Sequence, residues 1–584
     1  MKRDRFLFPV FPALVLLILQ GCQPGPAPGL VLEDTWKFRT GDYPAYAGAG
    51  YDHSDWITIR SGKTWEEQGF DGYDGYAWYR QEVKVSAGLR WTLTKRGGLV
   101  LKLGMIDDAD ITYWNGEIVG QTGHLPPVYQ TAHGEERVYE IPADLVRWGR
   151  KNTIAVKVYD GGGGGGIYAG PVSLSVMGME ELVVIQPLVP VDHIFRNKGP
   201  VEPGLKIRNE MDRPLKGELE AVVVSDFGGE ITRWSREMEI QKGGEQEVHL
   251  PFGELAPGFY RVSVSLSLDR VRKETGFSIG VRPEEILSPL DRPGDFREYW
   301  DRARKELAAV DPQFRLIRQD SLCTDTKEWF IVQMRSLDNV LIRGWYMRPV
   351  KEGVYPAILH VQGYSTFYLP GWMYPGEDMV ALGLNIRGHG FSRDDVDPGF
   401  PGYFLHHIDD RDRYVYRGAY MDCIRAVDFL CSRREVDTTR IAVEGASQGG
   451  ALSIAVAALD NRRISLCIPQ VPFLSDFRDY FRITGWPAGE VREYLRQNPE
   501  VTEELVYGNL SYIDIKNLAP WVTAPVLMMV GLEDEVCPPH INFAAYNNLI
   551  VPREYMVFPH SGHRLPGSVS QLKYNRIRDY FNLN

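Results

Sequence analysis

Ile441-Ala-Val-Glu-Gly-Ala-Ser447-Gln-Gly-Gly450 decides the fold of the C-terminal half. Three apolar residues read as the end of a buried strand. The G-x-S-x-G turn Gly445-Ala446-Ser447-Gln448-Gly449 follows, and then the helix-favouring run Ala451 to Ala458. Strand, sharp glycine turn and helix together hold a serine exposed above a parallel sheet. The pentapeptide alone is weak, because a chain of this length and glycine content gives roughly 0.3 chance matches. Its partners elsewhere in the chain have to lift it above that rate.

Outward from this stretch, strands and helices alternate from Pro293 onward. Phe296, Tyr299, Trp300, Ala303 and Leu307 recur at helical spacing behind an expected capping box of Asp295 and Glu298. Strands are expected at 329–332, 341–347, 357–361, 379–385, 440–444, 466–469, 525–530 and 555–558, with helices at 420–432 and 450–459. This is the pattern of a mostly parallel sheet covered on both faces. Ligands of such folds bind at the carboxyl ends of the strands.

Two further candidates follow strands in the order nucleophile, acid, histidine. The strand 525–530 runs into Gly531-Leu-Glu-Asp534, and the last strand into Pro559-His560-Ser-Gly-His563. A serine hydroxyl needs a histidine to take its proton. The histidine in turn needs a carboxylate to hold its tautomer and stabilise its charged form. Ser447, Asp534 and His563 are therefore the candidate catalytic set. Glu533 and Glu535 compete with Asp534, and His560 with His563. Gln448 is expected to offer its backbone amide to a developing oxyanion, as the residue after the nucleophile.

The N-terminal half reads differently. Residues 31–180 show short alternating strands, glycine turns and many aromatics, as in Ala77-Trp-Tyr-Arg-Gln-Glu-Val83 and Thr153-Ile-Ala-Val-Lys-Val158, and are expected to form an all-β sandwich. Gly75-Tyr-Ala-Trp-Tyr-Arg80, Ala109-Asp-Ile-Thr-Tyr-Trp-Asn-Gly-Glu117 with Val119-Gly120, and 149–158 resemble the jelly-roll, galactose-binding-like domain of β-galactosidase-type glycoside hydrolases. Trp65, Trp78 and Trp114 are candidates to stack on sugar rings or to fill the core; the core is the commoner fate of such residues. Gly161 to Gly166 reads as a flexible loop. Residues 181–283 fit an immunoglobulin-like sandwich acting as a spacer, and 284–584 the α/β-hydrolase domain.

Residues 284–584 resemble the acetyl xylan esterase and cephalosporin C deacetylase family, carbohydrate esterase family seven. The matching stretches are Gln362-Gly-Tyr364, Arg387-Gly-His-Gly390, Tyr416-Arg-Gly-Ala-Tyr-Met-Asp422, Gly445 to Gly450, Gly531 to Asp534 with Cys537-Pro-Pro539, Phe543-Ala-Ala-Tyr-Asn547 and Gly562-His563. His389, Ala446 and Arg564 depart from the family pattern, and none of them removes a triad residue. The resemblance implies Ser447 as nucleophile, His563 as general acid/base, Asp534 as orienting carboxylate, and Gln448 and Tyr364 amides as the oxyanion hole. It implies an esterase that deacetylates carbohydrates through an acetyl-enzyme, with no metal and no cofactor, assembled as a homo-oligomer. Arg387 is expected to brace a loop beneath the site. Two rival readings remain at this point: a prolyl-oligopeptidase-type serine peptidase, which would need propeller repeats of a period not found here, and a carbohydrate-binding protein with an inactive hydrolase domain.

Bulk properties narrow the classes. The 584-residue chain is 44% hydrophobic and 24% charged with a formal charge of -12, so about three or four domains are expected and nucleic acid is not a partner. Residues 1–21 read as a lipoprotein signal peptide: Lys2, Arg3 and Arg5 precede a short apolar run that ends in Leu19-Gln-Gly-Cys22. The run is too short for the ~20 residues of a spanning helix. Cys22 is the expected lipidation site, placing the protein in a bacterial cell envelope, periplasmic or on the outer membrane or cell surface, and 22–30 is a tether. The five later cysteines are irregularly spaced and read as free thiols, not as a disulfide or zinc framework.

Overall fold

In a computed structural model of the chain the described residues are 29–583, apart from 93–97, 128, 130, 163, 178–179, 270, 371–372 and 374–375. Cys22 and the other residues of the expected leader lie outside them. The chain divides into two units, residues 1–178 and 179–584. No helix among the described residues is long and apolar enough to cross a membrane.

The first unit is an antiparallel sandwich of a five-stranded and a six-stranded sheet. Lys151–Asp160 lies centrally in the larger sheet, between Gly75–Lys84 and Ala109–Trp114. Trp36, Trp65, Trp78 and Trp114 are all buried. None is available to stack on a sugar: they fill the interior, and Trp65 Nε1 donates to Tyr79 OH at 2.8 Å. The end of the loop expected at Gly161 to Gly166 is less open than the sequence suggests: a Cβ on Gly165 or Gly166 would collide with the Trp65 ring, so these two residues are packed on the core.

The second unit begins with a three-stranded and a five-stranded sheet forming the immunoglobulin-like sandwich. Its residues meet the hydrolase core directly. Phe259 packs on Phe543 with ring centroids 5.5 Å apart, and Asn547 Nδ2 donates to the carbonyls of Pro283 (2.9 Å) and Ile286 (3.0 Å).

The hydrolase domain is a nine-stranded sheet in the spatial order Arg315–Arg318, Lys327–Arg335, Leu341–Pro349, Val380–Asn385, Tyr355–Val361, Val436–Ala446, Leu466–Gln470, Val526–Gly531, Arg553–Phe558. The first three pairings are antiparallel and the remaining five parallel. Central strands such as Val380–Asn385 and Val526–Gly531 are buried at every position, which is why they read as continuous apolar runs and not as alternation. Helices Val415–Cys431 and Gln448–Leu459 pack beside them.

In helix Phe296–Ala309 the five residues at helical spacing are the ones buried. The expected capping box is not formed. The Asp295 side chain makes no cap bond; it accepts from Tyr512 OH and pairs with Arg411 (3.1 Å), a charged partner that outcompetes a backbone amide.

Candidate active site

The strand Val436–Ala446 delivers Ser447 at φ 60° and ψ -119°, a left-handed conformation rare for a residue with a side chain. Several contacts hold it there. Ser447 N donates to Gln470 O (2.9 Å), and Ser447 O accepts from Phe473 N (3.0 Å) and Ala451 N (3.1 Å). The glycines are required by space: a Cβ would lie 2.4 Å from Val361 O at Gly445, 2.1 Å from the same oxygen at Gly449 and 2.6 Å from Gln470 O at Gly450. Close approach to neighbouring strands, as much as the turn itself, selects glycine there.

Asp534 follows the strand Val526–Gly531. Its side chain is fully buried; Oδ1 accepts from the amides of Val536 and Cys537, both at 2.8 Å, and Oδ2 lies 2.9 Å from His563 Nδ1. That bond keeps the proton on Nδ1 and leaves Nε2 as the basic nitrogen. The two loops are held side by side: Glu533 N donates to Ser561 O (3.0 Å), and a Cβ on Gly531 would meet Gly562 O at 2.3 Å. Glu533 and Glu535 are exposed, and Glu535 reaches toward Arg261 at 3.4 Å. His560 is exposed and lies against His193. The histidine–carboxylate couple is therefore His563 with Asp534. Among the described residues no hydrogen bond joins Ser447 to His563; Ser447 Oγ faces Cys537 Sγ at 3.9 Å. Catalytic hydrogen bonds commonly tighten only with substrate bound.

Gln448 and Tyr364, the two expected oxyanion donors, share one brace. Neither amide donates to a backbone carbonyl among the described residues. The Gln448 side chain donates through Nε2 to His389 Nε2 (3.2 Å) and Gly363 O (3.4 Å), and its Oε1 accepts from Tyr416 OH (2.8 Å). It thus ties the turn after Ser447 to the residue before Tyr364. Burial pushes His389 down to about 4, so its imidazole is neutral, with Nδ1 toward Arg387 O (3.3 Å) and Nε2 free to accept. A neutral histidine can therefore stand where the family usually has glutamine. Arg387 lies deeper: its guanidinium forks onto Asp422 at 2.9 and 2.8 Å and also donates to Leu337 O (3.1 Å), as a structural brace.

Sequence reading missed two features. An aromatic wall surrounds Tyr364: half-buried Phe400 and Trp486 lie 4.9 and 5.2 Å from its ring, and fully buried Tyr403 6.1 Å. These residues come from loops with no periodic signal. Beneath the serine turn, Glu444 is buried with Lys573 Nζ at 2.6 Å, Gln470 Nε2 at 3.1 Å and His360 Nδ1 beside it. Burial opposes its ionisation, but Lys573 and His360 outweigh it and hold the carboxyl well below the usual range. An acid in a buried strand was the available signal.

Residues 286–578 match the family model described as acetyl xylan esterase (AXE1). The acetyl esterase Axe7A of Xylanibacter ruminicola is 30% identical over 327 residues, covering 53% of this chain and 71% of that protein. Two solved structures resemble the same region. An acetyl xylan esterase from Paenibacillus sp. R4 is 34% identical, with a TM-score of 0.48 over 51% of this chain and 98% of that one. Acetyl xylan esterase 1 from Thermoanaerobacterium sp. is 30% identical, with a TM-score of 0.47 over 51% and 97%. With the family model spanning half of the chain, and Axe7A matched over more than two thirds of its length, this chain belongs to the acetyl xylan esterase family.

Proposed function

We propose that the hydrolase domain removes acetyl groups from acetylated carbohydrates, acetylated xylan or its oligosaccharides, through an acetyl-enzyme on Ser447. The observation that carries this reading is the left-handed Ser447 turn on the same sheet edge as His563 and its buried partner Asp534. Ser447 Oγ attacks the acetyl carbonyl carbon, and its proton passes to His563 Nε2. The C–O bond to the sugar breaks, and the sugar oxygen leaves with that proton. Water, deprotonated by the same nitrogen, then attacks the acetyl-enzyme; acetate departs and Ser447 recovers its proton. Asp534 holds the imidazole and stabilises its charged form throughout. The amides of Gln448 and Tyr364 receive the negative charge on the carbonyl oxygen, an interaction whose loss typically costs about 3 kcal/mol of barrier. The half-buried rings of Phe400 and Trp486, packed against Tyr364, give a sugar ring an apolar surface.

Three features of setting complete the reading. Cys22 carries a lipid that anchors the protein to a bacterial envelope membrane, with 22–30 as tether; palmitate labelling that persists in Cys22→Ala would rule this out. The protein associates as a homo-oligomer, read by light scattering of the chain from residue 23 onward. The substrate partner is neutral acetylated glycan, in keeping with the acidic chain. Acetate release from acetylated xylan and acetylated monosaccharides tests the activity itself: the wild type releases it and Ser447→Ala does not. A wild type inactive on all of these substrates would overturn the assignment.

A further inference from the structure

Three carboxylates converge at one end of the first sandwich. Asp107 ends the strand Leu99–Asp107, Asp108 follows it, and Asp160 ends the strand Lys151–Asp160. All three are buried, Asp160 completely, and one oxygen of each lies within 4.8 Å of the others. Acidic residues at a surface gather without consequence, but burial changes the case, because three like charges in a low-dielectric site repel one another strongly.

Most of their polar partners are uncharged donors, and only Asp107 has one that can take up a positive charge. Asp108 accepts from Tyr129 OH, Thr131 Oγ1 and Gly161 N (2.9 Å), all uncharged donors. Asp107 has His133 Nδ1 at 2.9 Å. The nearby Arg137 guanidinium is committed elsewhere, to the Asp110 carboxylate (3.0 Å) and to the carbonyls of Ala132 (2.7 Å) and Asp108 (2.9 Å). Asp160 Oδ1 accepts from Gly162 N (2.8 Å), while Oδ2 has no hydrogen-bond partner among the described residues. A fully buried carboxylate oxygen without a donor points to a ligand, since such an atom otherwise forfeits its solvation.

The loop after Asp160 is shaped around these oxygens. A Cβ on Gly161 would lie 3.2 Å from Asp108 Oδ2, and one on Gly165 would lie 2.6 Å from Asp160 Oδ2. At both positions the backbone approaches a carboxylate closely, beside the rings of Tyr129 and Trp65.

We propose that Asp107, Asp108 and Asp160 bind a single calcium ion in the first β-domain, a site independent of the esterase centre. The donor set selects the metal: it is all hard carboxylate oxygen, with no thiolate. Calcium accepts variable oxygen shells, whereas magnesium demands a near-octahedral one. The ion joins the ends of two strands from opposite sheets of the sandwich, one of them running into the Gly161 loop. This departs from the expectation of a chain without metal.

The test uses the full chain, stripped with chelator and titrated with calcium chloride, bound metal being read by equilibrium dialysis and stability by thermal unfolding. About one equivalent of calcium should bind at or below millimolar concentration, raising the unfolding midpoint, with magnesium chloride less effective. Asp160→Asn and Asp107→Asn should each weaken calcium binding roughly tenfold or more while leaving hydrolysis of a small acetyl ester unchanged. In chelator Asp160→Asn should unfold no lower than the wild type, because one repelling charge is gone. A wild type that binds no calcium and has the same midpoint with and without it would overturn the site, as would both variants binding calcium as tightly as wild type. Should the variants fail to fold, the wild-type titration decides alone.

Discussion

Asp226→Asn should loosen the immunoglobulin-like sandwich from the hydrolase domain in a pH-dependent way. Asp226 sits in the hairpin between strands Leu215–Ser225 and Glu230–Ile240, and its Oδ2 lies 3.0 Å from His540 Nδ1. His540 belongs to the helix Pro539–Asn547, which starts five residues after Asp534. Asp479 lies 3.7 Å from the other ring nitrogen, and the Phe227 ring packs edge-on at 4.9 Å. Burial works against a charged imidazole, but the two carboxylates prevail and raise His540 from 6.5 to about 9. Because the folded value is the higher one, the stabilisation is complete below the ordinary value near 6.5 and is lost as pH rises through about 9. That difference corresponds to about 3 kcal/mol at its fullest and about 2.5 kcal/mol near pH 7. Removing one carboxylate of the two should therefore cost about 1–2 kcal/mol near pH 7, and under about 0.5 kcal/mol near pH 10, where His540 is neutral in both proteins. Urea unfolding of wild type and variant at both pH values, followed by fluorescence, gives the two differences. Equal differences at the two pH values would refute the charge-based account, and no difference at either would refute the contact.

Other substitutions probe the site more directly. Asp534→Asn should lower kcat on the order of 10³–10⁴-fold with little change in KM, because the amide favours the wrong histidine tautomer; this is read by steady-state kinetics on an acetyl ester. Gly449→Ala places a Cβ 2.1 Å from Val361 O; it should shift the serine turn and reduce kcat/KM by on the order of 10²-fold or more. Arg387→Ala leaves Asp422 buried without its cation and should cost about 3–5 kcal/mol of stability, measured by chemical denaturation.

The C-terminal fold was legible because its signals are local and periodic. Buried parallel strands read as apolar runs, helix Phe296–Ala309 shows its inward face at helical spacing, and the glycines around Ser447 announce a turn with no room for side chains. The order of Ser447, Asp534 and His563 added what one motif could not. His560 and His563 both follow the same strand within five residues, so the strand pattern left the pair open; the resemblance pointed to His563, and the structure puts it beside Asp534. Asp295 misled for a related reason: its local pattern promised a cap, while Arg411 and Tyr512, more than a hundred residues away, claimed the carboxylate. The tryptophans of the first domain were ambiguous by residue type, and burial resolved them. Phe400, Trp486, Asp226 with His540, and the Asp107–Asp108–Asp160 cluster all depend on residues from separate loops or strand ends meeting in space. No spacing rule encodes such meetings.

The central claim is an acetyl-enzyme on Ser447, and rapid-quench mass spectrometry with a chromogenic acetyl ester tests it most directly. A transient acetyl group should appear on the peptide containing Ser447, formed in a burst with alcohol release. The group should be absent from Ser447→Ala, with turnover reduced by on the order of 10⁴-fold or more. Acetyl found on another residue during turnover, or Ser447→Ala retaining wild-type rates, would contradict it.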